Sequence, residues 1–345
     1  MITKLVTIGS EQDLQKLEEA AKIMKDGGLV AFPTETVYGL GGDALQSDAA
    51  QKIYAAKGRP SDNPLIVHIS RIEDLSKIAK NIPNEAYSLA EHFWPGPLTM
   101  IFDKRSCVPD STTGGMDTVA VRMPSHPVAL ELIRRSGGFI AAPSANTSGR
   151  PSPTKASHVE EDLNGKIPMI VDGGSVGIGL ESTIIDFTAP IPTILRPGFL
   201  TVEDFEPIIG EVRIDPGIIA SDSKVKPKAP GMKYRHYAPG GALTIVRGNR
   251  KRVAEYIKTK AFEHGDSKKV CVLCLKCNEN YYAHMEHLVL GNDMQEIAAN
   301  LFSVLRICDD KKADIIYSEA IEETGLGRAI MNRLKKAAGG QIVDV

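Results

Sequence analysis

Lys57-Gly58-Arg59-Pro60-Ser61-Asp62-Asn63-Pro64-Leu65-Ile66-Val67-His68 sets two cations one residue apart and then runs into an apolar stretch. Leu65 to Val67 reads as a buried strand, the signature of a sheet covered by other layers. Pro60 and Pro64 each fix their own φ and restrict the residue before them, so the intervening loop is stiff. Cations that start from a stiff loop can hold a polyanion without first being ordered. An isolated Lys-x-Arg is usually a solvated turn; here the glycine, the prolines and the flanking strand favour a phosphate site.

The same alternation of apolar runs and helical periodicity extends to both sides. Glu11 to Lys25 places Leu14, Leu17, Ala20, Ala21 and Met24 on one helical face and closes at Gly27-Gly28. Leu29 to Pro33 reads as a buried strand, and Thr34 to Gly42 as a polar, glycine-rich turn. A hydroxyl-rich loop after a strand is where open α/β folds place ligands, although Thr34 and Thr36 can equally cap local structure. Ser47 to Ala56 predicts a helix that delivers Lys57 at its end. Further helices are expected over 71–78, 85–93 and 127–135, with strands over 98–102, 118–123 and 138–142. The one tryptophan, Trp94, is expected at a domain edge.

Arg122 interrupts the apolar strand Val119-Ala120-Val121-Arg122-Met123. A charge on a strand buried on both sides costs several kcal/mol unless paired, so Arg122 needs a carboxylate from the protein or from a ligand. Downstream, Pro143-Ser144-Ala145-Asn146-Thr147-Ser148-Gly149-Arg150-Pro151-Ser152-Pro153 contains no carboxylate and is dense in hydroxyl, amide and small residues. Such chain is a good anion ligand where its backbone approaches closely. A Ser/Pro linker is the competing reading, and the position between a strand and a helix argues against it. Arg196 closes another apolar strand.

Residues 211–240 lose periodicity, but the stretch from Ala229 to Pro239 is too aromatic for a passive spacer. It is expected to be an ordered segment crossing the cleft of a first domain spanning 1–210. Residues 241–345 alternate strand and helix, which predicts a small C-terminal α/β domain, Rossmann-like, with a parallel sheet.

The totals exclude several classes. The chain has 345 residues, 42% hydrophobic and 24% charged, with net charge −2, so any basic site is local. No apolar run reaches the ~18–20 residues of a membrane span, and Met1 to Leu5 shows no secretory signal pattern. Five cysteines suit a reducing cytoplasm better than a disulfide framework. Cys271, Cys274 and Cys277 share a Cys-x-x-Cys-x-x-Cys spacing, but they sit on a strand-like run without a nearby fourth ligand, so no metal site is expected.

Several motifs occur together and in order: Phe32 to Leu40, Lys57 to Pro60, Asn63 to Leu65, Trp94-Pro95-Gly96-Pro97-Leu98-Thr99, Val121 to Pro124 and Pro143 to Asn146. Over roughly residues 10–207 they resemble the YrdC-like domain family, and the tail is similar to its long, two-domain branch, the threonylcarbamoyl-adenylate synthases. The resemblance implies a twisted mixed α/β sheet whose concave cleft holds a nucleotide. It implies that L-threonine, bicarbonate and ATP, with Mg²⁺ accompanying the ATP, give threonylcarbamoyl-AMP and pyrophosphate. Other proteins then transfer the threonylcarbamoyl group to tRNA, and a weak contact with tRNA itself is compatible with the family.

Carried over by motif, the threonine side is Thr36, His68, Arg122, the backbone at Ala142, and Ser182. The ATP side is Lys57, Arg59, Asn63, Thr118, Ser144, Asn146, Ser152 and Arg196, joined by Tyr234 and His236; Lys57 and Arg59 are the expected catalytic cations. Taken without the resemblance, His68 reads as a core histidine. Two alternatives share the domain. An RNA-binding module without synthase activity fits poorly with the near-neutral charge and the lack of aromatic-plus-basic motifs. A hydrogenase-maturation carbamoyltransferase is expected to carry zinc-finger cysteine pairs and an acylphosphatase-like segment upstream.

Overall fold

The computed structural model describes residues 2–219 and 236–345. The chain divides into two compact units. Met1–Ser148, Ser152–Gly177 and Glu181–Tyr234 form the first, and Gly149–Pro151, Ile178–Leu180 and Arg235–Val345 form the second. Among the described residues no helix is long and apolar enough to cross a membrane.

The first unit is built on a twelve-stranded mixed sheet: β1 (Lys4–Thr7), β2 (Val30–Phe32), β3 (Gly39–Asp43), β4 (Ile66–His68), β5 (Ala79–Lys80), β6 (Leu98–Lys104), β7 (Thr118–Arg122), β8 (Ile140–Ala141), β9 (Met169–Asp172), β10 (Thr183–Asp186), β11 (Thr193–Arg196) and β12 (Arg213–Ile214). The order is β1-β9-β2-β3-β8-β4-β7-β6-β10-β11-β12, with β5 paired to β6.

Side-chain alternation decides which face does what. Ala31, Val67, Met100, Val119, Val121, Ala141, Ile170 and Ile185 point to one face and form the main core with helices Ser47–Lys57, Asn84–Phe93, Ala156–Leu163 and Val202–Ile209. On the other face, Val30, Phe32, Ile140, Met169 and Val171 pack under helices Leu17–Lys25 and Pro127–Arg135. Further along that second face the apolar packing breaks into a separate group. There Ile66, Ile101, Ala120, Ile184 and Leu195 form a small apolar cluster of their own. His68, Thr99, Arg122 and Ser182 each stand two residues from a member of this apolar floor and so share its face.

Three sequence expectations change. The stretch expected as a turn from Thr34 to Gly42 contains β3, antiparallel to β2. Its glycines are there for close approach: a Cβ on Gly41 would lie 2.7 Å from both Ile140 and Phe32. The expected helix from Glu11 begins as a 3₁₀ segment, Glu11–Lys16, before Leu17–Lys25. Trp94 is a core residue whose indole N–H donates to the Leu98 carbonyl at 2.7 Å.

The second unit carries five parallel strands, β13 (Ala242–Arg247), β14 (Val270–Cys274), β15 (His287–Val289), β16 (Ile315–Glu319) and β17 (Ile342–Asp344), ordered β15-β14-β16-β13-β17. Helices Arg250–His264, Met294–Asp310 and Leu326–Ala337 supply crossovers. The glutamate ending β16, Glu319, is buried and accepts from the Leu275 N–H, the Asn278 amide and the Tyr282 hydroxyl, which fixes the corner after β14. Cys271 and Cys274 lie on β14 itself, as the strand-like run predicted.

Candidate active site

Arg122 ends β7 with its side chain on the same face as Ile66 and Ala120, 4% exposed. Its Nε donates to the Gly96 carbonyl at 3.3 Å and its Nη1 to the Thr36 hydroxyl at 2.9 Å. The anion that its buried charge demands is Glu35, 2.8 Å from Nη2. Neither Nη2 nor the Glu35 oxygens make an aligned hydrogen bond, so the pairing is Coulombic and leaves their directional bonding capacity unused. Thr34 steadies the loop: its hydroxyl donates to the Val37 carbonyl and lies 2.9 Å from that of Thr36. The sequence expectation assigned Arg122 to the amino-acid carboxylate. Glu35 holds that place here, a partner that periodicity had no means of connecting to a strand so far along the chain.

Register assembles the rest. His68 and Thr99 lie opposite Arg122 on the two neighbouring strands. The Thr99 hydroxyl is 2.7 Å from that of Ser182, which also accepts from Arg196 Nη2 at 3.0 Å. Arg196 reaches this face because an extra residue in β11 shifts its pairing onto Ile184, the usual effect of a bulge. The Ala142 N–H donates to the Ile66 carbonyl at 2.9 Å, which fixes the chain beside His68. Thr36, His68, Arg122 and Ser182 are thus brought to one buried polar face beside the apolar floor, with Ala142 at its edge.

The second group gathers around Lys57. Helix Ser47–Lys57 ends at Gly58, whose φ of 61° stops it as a left-handed cap and leaves Lys57 as its last residue. The ammonium, 2% exposed, donates to the backbone carbonyls of Ser144 and Asn146. The Ser144 hydroxyl donates to Asn146 Oδ1 at 2.5 Å, closing a compact loop around that cation. Lys57 is therefore the internal clamp of the 143–147 loop. Arg59 donates to the carbonyls of Asn63 and Pro64, and Asn63 Oδ1 is buried without a hydrogen-bond partner.

Other expected residues lie apart. The Ser152 hydroxyl is engaged by Glu181 at 2.6 Å. Thr118 shares the face of Arg122 but sits at the opposite end of β7, where it lines a separate cavity of about 340 Å³ with Asp117, Asp186 and Thr188. His236 belongs to the second unit. Tyr234, and most of the segment expected to cross the cleft, lie outside the described residues.

Burial is the main force on His68, with the Arg122 charge adding to it; together they push the imidazole down to about 3. The ring is therefore neutral at physiological pH, held at 3.2 Å from the Ile66 carbonyl through Nδ1. In the unfolded chain it takes a proton below its ordinary 6.5, so stability is full above that value and is lost as pH falls toward 3. At pH 5 the loss from this ring is about 2 kcal/mol. Urea titrations from pH 7 to 5 should show a shallower decline for His68→Gln than for the parent; identical slopes would place the ring in solvent. His126, near Glu35, is lowered in the same direction by burial, partly offset by that carboxylate.

Residues 22–198 match the family model described as telomere recombination, which joins Sua5, YciO and YrdC, and residues 200–339 match that of the threonylcarbamoyl-AMP synthase C-terminal domain. The chain is 50% identical to the threonylcarbamoyl-AMP synthase of Pyrococcus abyssi, covering 100% of both, and 47% identical to that of Bacillus subtilis, covering 95% of this chain and 94% of the relative. The crystal structure of P. abyssi Sua5 complexed with L-threonine is similar with a TM-score of 0.92 at 50% identity, covering 100% of both chains. A doubly substituted variant of the same protein gives 0.94 at 48% identity, covering 100% of this chain and 98% of that one. With both domain models matched and full-length relatives at this identity, the chain belongs to the two-domain threonylcarbamoyl-AMP synthase family.

Proposed function

We propose that this chain converts L-threonine, bicarbonate and ATP into threonylcarbamoyl-AMP and pyrophosphate. The observation that carries the reading is Arg122, a buried guanidinium beside neutral His68 and the Thr36 and Ser182 hydroxyls on one sheet face. That set suits an amino acid: a cation for its carboxylate and neutral polar groups for its amine and hydroxyl. Binding at Arg122 exchanges the Glu35 carboxylate for that of the substrate.

The chemistry has two stages. The threonine amine and bicarbonate form a carbamate with loss of water. A carbamate oxygen then attacks the α-phosphorus of ATP; the new P–O bond forms as the bond to pyrophosphate breaks. Both reactants are anionic, so catalysis is chiefly positioning and charge stabilisation. The 143–147 loop clamped by Lys57 supplies the phosphate-binding chain, and Arg59 and Arg196 the further cations. Mg²⁺ arrives with ATP as part of that substrate; among the described residues no group of three or more His, Cys, Asp or Glu side chains is arranged to hold a metal of its own. We place the enzyme in the cytoplasm, upstream of proteins that transfer the threonylcarbamoyl group to tRNA.

Incubation with ¹⁴C-bicarbonate, threonine and MgATP is expected to give a labelled adenylate and one pyrophosphate per adenylate. Omission of threonine should abolish both. Pyrophosphate release without label in the adenylate would reject the reaction.

A further inference from the structure

Two of the five cysteines are set against each other inside the second unit. Cys271 on β14 and Cys308 on helix Met294–Asp310 are both buried, with their sulfur atoms 3.9 Å apart. Strand alternation excludes Cys274 from the pair: it packs with Val253, Ala254 and Ile257 of helix Arg250–His264 on the opposite face of the sheet. A cavity of about 320 Å³ opens onto Cys271 and is lined also by Lys269, Val270, Glu286, Lys311 and Ala313. Lys311 is paired with Glu286 at 2.8 Å, which leaves the positive charge of Lys269 as the local excess.

We propose that Cys271 and Cys308 form a redox site that a small anionic disulfide, of the glutathione type, converts to an intrachain disulfide. The two thiols are close enough that side-chain rotation and small adjustments bring the sulfurs toward the ~2.0 Å of a bond. Cys271 is the attacking group: the S–H of Cys308 is directed at it and holds its thiol below the ordinary range, while the same contact and burial raise Cys308. Cys271 thiolate attacks one sulfur of the oxidant, forming a mixed disulfide and releasing one small thiolate. Cys308 then loses its proton and attacks Cys271 Sγ, releasing the second. The two protein thiols give up two electrons and two protons, and the oxidant becomes two thiols. A closed loop between an interior strand and a packed helix restrains the unfolded chain, so oxidation stabilises the second unit.

The full-length chain carrying Cys107→Ser and Cys277→Ser, which removes the exposed thiols, is treated with glutathione disulfide and compared with a dithiothreitol-reduced sample. Intact and peptide mass spectrometry should show loss of two hydrogens and a Cys271–Cys308 cross-link. The melting temperature should rise by several degrees and return on reduction. Adding Cys308→Ser should instead trap glutathione on Cys271. Three reactive thiols surviving in guanidinium after oxidant treatment would overturn the proposal, as would a cross-link through Cys274. If the Cys308→Ser protein fails to fold, the cross-link map of its parent decides alone.

Discussion

Arg122→Ala is expected to raise the threonine concentration for half-maximal turnover by about two to three orders of magnitude while moving that for ATP by no more than a few-fold. Removing one partner of a buried ion pair costs about 3–5 kcal/mol, because the other charge stays buried. Here Glu35 is left behind, and the substrate carboxylate meets a repelling carboxylate where it should find a cation. Arg122→Lys keeps the charge but not the planar fork that bonds Gly96 and Thr36 at once, so it should recover only part of the loss. Initial rates with each substrate varied separately, on protein whose melting curve shows it folded, decide the matter. Equal effects on both substrates would reject the assignment to threonine.

The need for a partner at Arg122 was legible from five residues of strand, because the price of burying an unpaired charge is general. Its identity was not, since Glu35 and Arg122 meet only after β2, β4 and β7 are placed in one sheet. The same limit explains β3. Gly39, Gly41 and Gly42 look like turn residues, and they are strand residues because Phe32, Ile140 and Leu29 press against them. Short edge elements such as β1 and β12 carry too few buried side chains to leave a period in the sequence. By contrast, the strand–helix alternation and the parallel sheet of the second unit were readable, since long amphipathic helices between apolar strands constrain one architecture. The two groups of the site were legible only through the family motifs, and the postures of the paired cations were not legible at all. Lys57 and Arg59 are one residue apart, yet one points into the protein and the other along its own loop.

That difference sets the last prediction. Lys57→Met, which keeps the alkyl stem and removes the ammonium, is expected to lower turnover by about two orders of magnitude without unfolding the sheet. Two carbonyls, those of Ser144 and Asn146, would lose their donor inside the protein, at about 1–3 kcal/mol each. The loop escapes that cost by opening, and if it holds the phosphates as proposed, a small misplacement costs on the order of 10² in rate. Lys57→Arg should not rescue, because a planar guanidinium cannot enter a cage shaped around an ammonium. Two readouts separate the clamp from a direct phosphate contact. Loss of the clamp speeds amide hydrogen exchange over residues 143–147 and is seen without nucleotide; loss of a phosphate contact changes only the ATP-bound protein. Full protection of that loop in Lys57→Met, together with lost turnover, would show that the ammonium acts on the nucleotide itself.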